Sequence, residues 1–260
     1  VDLSDDPDAL QAGRTAGNVS AGLEVILTGA GLLTEVPLGM LPAEAVQVAS
    51  DGLNELFESC LTATPITEEG TGLSVSFAQG GCGIPTTNIQ LQGGFSFQTT
   101  ATEETSQWGA SFTSFEVAGV AIDGAVDIEI QQGESLDYTI DELSVNYSGE
   151  PIMIDSQGTV NTNAGHTEIV FSGQGAVTYG GNTYSVEITN LNRHLTTDCY
   201  PETGTLRVGV TTAGGQSIMA SVSFDDSGLG LDSDDSGVVQ VSVNGKDHNV
   251  QLPARNCSGF

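Results

Sequence analysis

A chain of 260 residues with 34 acidic and only 5 basic side chains has a formal net charge of −29, an imbalance that repels polyanions. Nucleic acid and anionic lipid headgroups are thereby excluded as electrostatic partners, whereas cations or a basic protein are favoured. The 38% hydrophobic fraction suffices for a core, 34 glycines suit hairpins better than helices, and no apolar run is long enough to span a bilayer.

Taken in order, the chain opens with a helix start at Ser4, followed by Asp5, Asp6 and Pro7. A helix over about 5–28 places Leu10, Ala16, Val19, Leu23, Ile26 and Leu27 on one side. Gly13, Gly17 and Gly22 each weaken it by roughly 1 kcal/mol relative to alanine, so close packing against another backbone is the expected compensation. Its polar face carries Arg14 as its one cation, which disfavours a membrane-surface role. Residues 32–41, with Pro37 and Gly39, read as a loop. Pro42 then opens a second helix to about Cys60, where Val46, Leu53, Leu56, Phe57 and Cys60 recur at threes and fours.

After Pro65 the period falls to two, and the pattern predicts antiparallel hairpins turning on glycine. Turns are predicted at Gly93-Gly94, Asp123-Gly124, Gly158, Gly180-Gly181 and Asn244-Gly245, each between alternating apolar runs. Residues 101–107 read as a solvated polar segment, and residues 190–204 break the rhythm before strands at about 206–210, 218–224, 238–243 and 250–252. One face buried and one wet favours a meander over a parallel sheet. The expected fold is therefore mainly β: a large antiparallel meander, sandwich or open or curved barrel, with one or two N-terminal helices packed on it. The division expected is a helical segment over 1–64 and a β domain over 65–260.

Cys60, Cys82, Cys199 and Cys257 allow three pairings, and neither a Cys-x-x-Cys pair nor a nearby histidine suggests zinc. The expected bonds are Cys60 with Cys82, tying helix to sheet, and Cys199 with Cys257, tying the last strand back. Each closure is worth roughly 3 to 4 kcal/mol in the loop-entropy account. Disulfides imply an oxidising, extracytoplasmic compartment, and a chain opening at Val1 is expected to have lost a signal peptide.

Three places could carry chemistry. Asp232, Asp234, Ser236 and Gly237 match the first half of a calcium loop, but the twelfth position is Val243, so a standard EF-hand is excluded and a calcium-binding β-loop is what the spacing leaves. Asp127 and Glu129 alternate along a strand like the carboxylates of retaining β-sandwich glycosidases, although the position two before them is Ala125. Arg193 and His194 with Asp198 form a mixed local cluster, best read as an ion pair or support for a disulfide loop, while His166 and His248 lie far off in sequence. No catalytic residue and no cofactor other than calcium is predicted.

The segments Cys199-Tyr200-Pro201-Glu202-Thr203-Gly204-Thr205-Leu206 and Ile89-Gln90-Leu91-Gln92-Gly93 resemble stretches of uncharacterised secreted proteins and lipoproteins of Gram-negative bacteria. There, a cysteine-proline-glycine turn precedes a strand. The resemblance implies an extracytoplasmic place and no activity, and Val1 stands where a lipoprotein would carry its lipidated cysteine. The function expected is a non-catalytic structural or interaction protein, an accessory subunit in the periplasm, on an outer surface or secreted, with a protein partner or self-assembly. Two alternatives are a carrier enclosing a lipid or other hydrophobic ligand in a β cavity capped by the first helix, and a polysaccharide-acting hydrolase.

Overall fold

The computed structural model describes residues 3–31, 42–57, 60–66, 71–83, 90–101, 105–117, 120–131, 135–146, 151–162, 168–194, 200–212, 214–224 and 237–252. Helices α1 (Pro7–Gly31) and α2 (Pro42–Phe57) precede the strands. These are β1 (Leu61–Ile66), β2 (Gly72–Phe77), β3 (Cys82–Gly83), β4 (Gln90–Ala101), β5 (Thr105–Val117), β6 (Val120–Gln131) and β7 (Ser135–Asn146). There follow β8 (Pro151–Thr162), β9 (Glu168–Tyr179), β10 (Asn182–His194), β11 (Thr203–Thr211), β12 (Ser217–Phe224), β13 (Val238–Val243) and β14 (Lys246–Gln251). The 14 strands form one antiparallel meander in chain order, with β3 paired to β4 beside the main path. The mainly-β fold with N-terminal helices is as the alternation predicted.

Three of the expected turns are not turns. Gly93-Gly94 lies inside β4, Asp123-Gly124 inside β6 and Gly158 inside β8. The strands are correspondingly long: β6 has 12 residues and β5 has 13, spanning about 40 Å at ~3.3 Å per residue. What those glycines face is the backbone of a neighbouring strand. A Cβ on Gly124 would come within 2.8 Å of the Glu142 carbonyl oxygen, and Gly204 in β11, which is not among the predicted hairpin turns, is placed alike, within 2.5 Å of that of Asn190. The facing strands carry bulges, where one extra residue is absorbed: β5 between Phe112 and Phe115, β7 between Asp141 and Ser144, and β10 between Ile188 and Leu191. Each holds a non-glycine residue at positive φ, namely Ser114, Glu142 and Asn190. A side chain on an adjacent strand accepts the bulge N–H: Asp123 Oδ1 from Ser114 at 2.6 Å, Asp155 Oδ1 from Glu142 at 2.9 Å, and Ser172 Oγ from Asn190 at 3.1 Å. Gly180-Gly181 and Asn244-Gly245 are true two-residue hairpin turns, with positive φ at both central positions.

Two compact units can be distinguished, one from residues 1–23 with 156–258, the other from residues 24–155. In the first, α1 starts at Asp6 rather than Ser4. Asp6 Oδ1 accepts the N–H groups of Asp8 at 3.0 Å and Ala9 at 3.1 Å, so it is the cap and Pro7 the first helical residue. Among the described side chains of α1 the buried face consists of Ala9, Ala12, Gly13, Thr15, Ala16, Gly17, Val19 and Ser20, while Leu10 is only half-buried. The small residues do allow close approach, but to a side chain: a Cβ on Gly13 would meet Val250 Cγ1 of β14 at 2.6 Å. Gln11 donates to the Tyr184 hydroxyl of β10.

In the second unit, α2 buries Val46, Ala49, Leu53 and Phe57, as its stripe predicts; the side chain of Leu56 lies outside the described residues. The core face of the sheet is aromatic. Phe77 meets Phe57, Phe95 and Phe115, and Phe97 stands edge-on to Trp108. Phe77 is half-buried, and each of the fully buried phenylalanines around it contributes on the order of 1.5–3 kcal/mol. The Cys60–Cys82 disulfide, with Cα atoms 5.4 Å apart, joins the segment after α2 to β3. Residues 105–107, expected to be a solvated segment, begin β5. The expected loop at 32–41 lies outside the described residues.

Candidate functional site

Alternation places Trp108, Ile128 and Tyr138 on the core face of β5, β6 and β7, so their chain neighbours point outward. Register then aligns those neighbours in rows. Gln107 faces Glu129, which faces Asp137; Gly109 faces Asp127, which faces Thr139; Ser111 faces Ala125, which faces Asp141. The first two rows, with Gln98 of β4, line a groove of about 460 Å³. Gly109 keeps its floor low, since a Cβ there would stand 3.0 Å from Asp127 Oδ1.

Gln107 Nε2 donates to Glu129 Oε2 at 3.1 Å, which fixes one carboxylate at the groove wall. Glu129 and Asp137 are like charges directly opposite across a strand pair, an arrangement that repels and raises the local negative potential. Among the described residues, no group of three or more His, Cys, Asp or Glu side chains is placed to hold a metal ion. With Asp127, Glu129 and Asp137 on its walls the groove is suited to accepting hydrogen bonds from a cationic group, and Gln98, Gln107 and Thr139 add neutral donors and acceptors. Of its carboxylates the sequence pointed to Asp127 and Glu129. Asp137 joins them through the β6–β7 register, and its signal was the alternation Leu136, Tyr138, Ile140 on the opposite face.

Both ends of the strand order are covered by hydrogen bonds. At β1, Asn54 of α2 binds Ala63 as a neighbouring strand would: Oδ1 accepts the Ala63 N–H at 2.9 Å and Nδ2 donates to its carbonyl at 3.0 Å. Ser50 Oγ donates to the same carbonyl at 3.1 Å, and Pro65 removes a further donor from this strand. At β14, the Ser4 N–H donates to the Asn249 carbonyl at 2.8 Å. His248 reinforces this attachment, with Nδ1 2.9 Å from Ser4 Oγ and Nε2 3.9 Å from Asp6 Oδ2.

The remaining predicted positions are dispersed. Arg193, read from the sequence as part of an ion pair or support for a disulfide loop, is only 6% exposed on β10, while His194 lies 3.8 Å from Glu202. Asp198, His166, the calcium-loop residues Asp232, Asp234 and Ser236, and the pair Cys199 and Cys257 lie outside the described residues. Among the described residues, no helix is long and apolar enough to cross a membrane.

No family model, no curated protein and no solved structure matches the chain.

Proposed function

We propose that the chain is a non-catalytic, extracytoplasmic interaction protein whose acidic outer sheet face engages a basic protein partner. The observation that carries this reading is the register that gathers Asp127, Glu129 and Asp137 into one groove on a chain of net charge −29. Complementary charge steers such a partner and sets its orientation. The disulfide Cys60–Cys82 suits an oxidising compartment. With hydrogen bonds already made at β1 and β14, the docking surface is the face of the sheet and not its edge.

The test is native mass spectrometry on protein taken from its own source, followed by affinity measurements on any polypeptide found bound. The complex is expected to weaken with added salt, and the triple substitution D127N/E129Q/D137N to lower affinity by about tenfold, or roughly 1.4 kcal/mol. A complex indifferent to both, or a bare chain carrying a lipid-like mass that leaves on unfolding, overturns the proposal. The second of those results speaks for the carrier.

A further inference from the structure

Two side-chain polar atoms on the core face of the second unit have no hydrogen-bond partner among the described residues, Thr99 Oγ1 and Trp108 Nε1. Both residues are 1% exposed, so bulk water does not reach them. The register sets them directly opposite one another on β4 and β5, where Cβ atoms stand about 4.5–5.5 Å apart. An indole N–H can only donate, whereas a threonine hydroxyl both donates and accepts. Two such groups, side by side in an apolar row closed by Ile128 on β6, call for an oxygen between them.

We propose that Thr99 and Trp108 hold one internal water molecule, which accepts from the indole N–H and shares a hydrogen bond with the threonine hydroxyl. Buried waters of this kind satisfy polar groups that the chain itself leaves over. One competing arrangement is visible. The ring of Phe97 stands at 90° to the indole with centroids 6.4 Å apart, so the N–H could point at a π-face and remain dry.

Because Trp108 is the sole tryptophan, the competition is decided on a single resonance of the whole chain. A crystal structure is expected to show an ordered water within hydrogen-bond distance of both atoms, and the indole Hε1 signal of labelled protein to keep the downfield position of a hydrogen-bonded N–H. T99V is expected to lose the water and shift that signal, and T99S to keep both. A dry gap with Hε1 moved upfield by the Phe97 ring overturns the proposal, as does density for an organic molecule in place of water. If T99V does not fold, the wild-type density and Hε1 position decide alone.

Discussion

Gly124 and Gly180 both stand in stretches that look like hairpin turns, yet alanine at the two positions should have different costs. At Gly180 φ is +57° and a new Cβ would meet nothing within 4 Å, so only the left-handed backbone is strained, at about 1 kcal/mol. At Gly124 φ is +125° and the Cβ would fall 2.8 Å from the Glu142 carbonyl oxygen and 2.9 Å from Leu143 Cα. Both obstacles are backbone, held by the Asp155 bond to the Glu142 N–H, so neither yields easily. Overlap of this kind adds about 1–3 kcal/mol to a backbone strain of about 1–2 kcal/mol, for a total of about 2–5 kcal/mol. With a urea dependence of about 2 kcal/mol per molar, G124A should lower the unfolding midpoint by about 1–2.5 M and G180A by about 0.5 M. Urea titration followed by far-ultraviolet circular dichroism reports both variants, and Trp108 fluorescence reports the unit that holds Gly124. A G180A midpoint as low as that of G124A would refute the argument that facing backbone, not turn geometry, requires glycine at 124.

N54A should leave the Ala63 N–H unpaired and its carbonyl with Ser50 Oγ alone, costing about 1–3 kcal/mol, and should raise self-association through the β1 edge in concentration-dependent size-exclusion chromatography. An N54A chain that stays monomeric and equally stable removes the argument for edge cover. Replacing Cys60 and Cys82 together by serine opens a closure of sequence separation 22 and should cost about 3 kcal/mol in the same urea titration. D137N relieves the like-charge pair with Glu129 and should stabilise by about 0.5 kcal/mol at low salt, a gain that fades as ionic strength rises; equal gains at low and high salt would point to another cause.

The period-two pattern was enough to identify the fold as mainly β, though not to bound its strands, and the threes-and-fours stripe of α2 was enough to orient it, because both are properties of single segments. The glycines were misread because a hairpin turn and a bulge contact have the same local signature. Asp123-Gly124 between alternating apolar runs satisfies either, and the difference resides in Glu142 and Leu143, about 18 residues further on. α1 shows the same limit: its leucine at position 10 looks like core by hydrophobicity, yet alanines and glycines take the buried positions because Val250 approaches so closely. At the groove, Asp127 and Glu129 were legible from alternation within one strand. Asp137 was not, since its neighbours depend on a register that the bulge in β7 shifts.

Those bulges also change how the strands must be read. Along β5 the buried residues are even-numbered through Trp108, Ala110 and Phe112, then odd at Phe115. In β7 they are even through Leu136, Tyr138 and Ile140, then odd at Leu143 and Val145, and in β10 even through Tyr184, Val186 and Ile188, then odd at Leu191 and Arg193. Each of these strands is two phases of one pattern joined at a slip of a single residue. Loss of Ser114 would remove the slip and merge the phases with Phe115 still on the core side, whereas loss of Ser111, before the bulge, would turn Phe112 to the solvent side. Insertions and deletions in this chain therefore carry a frame, and each bulge is the place where that frame is reset.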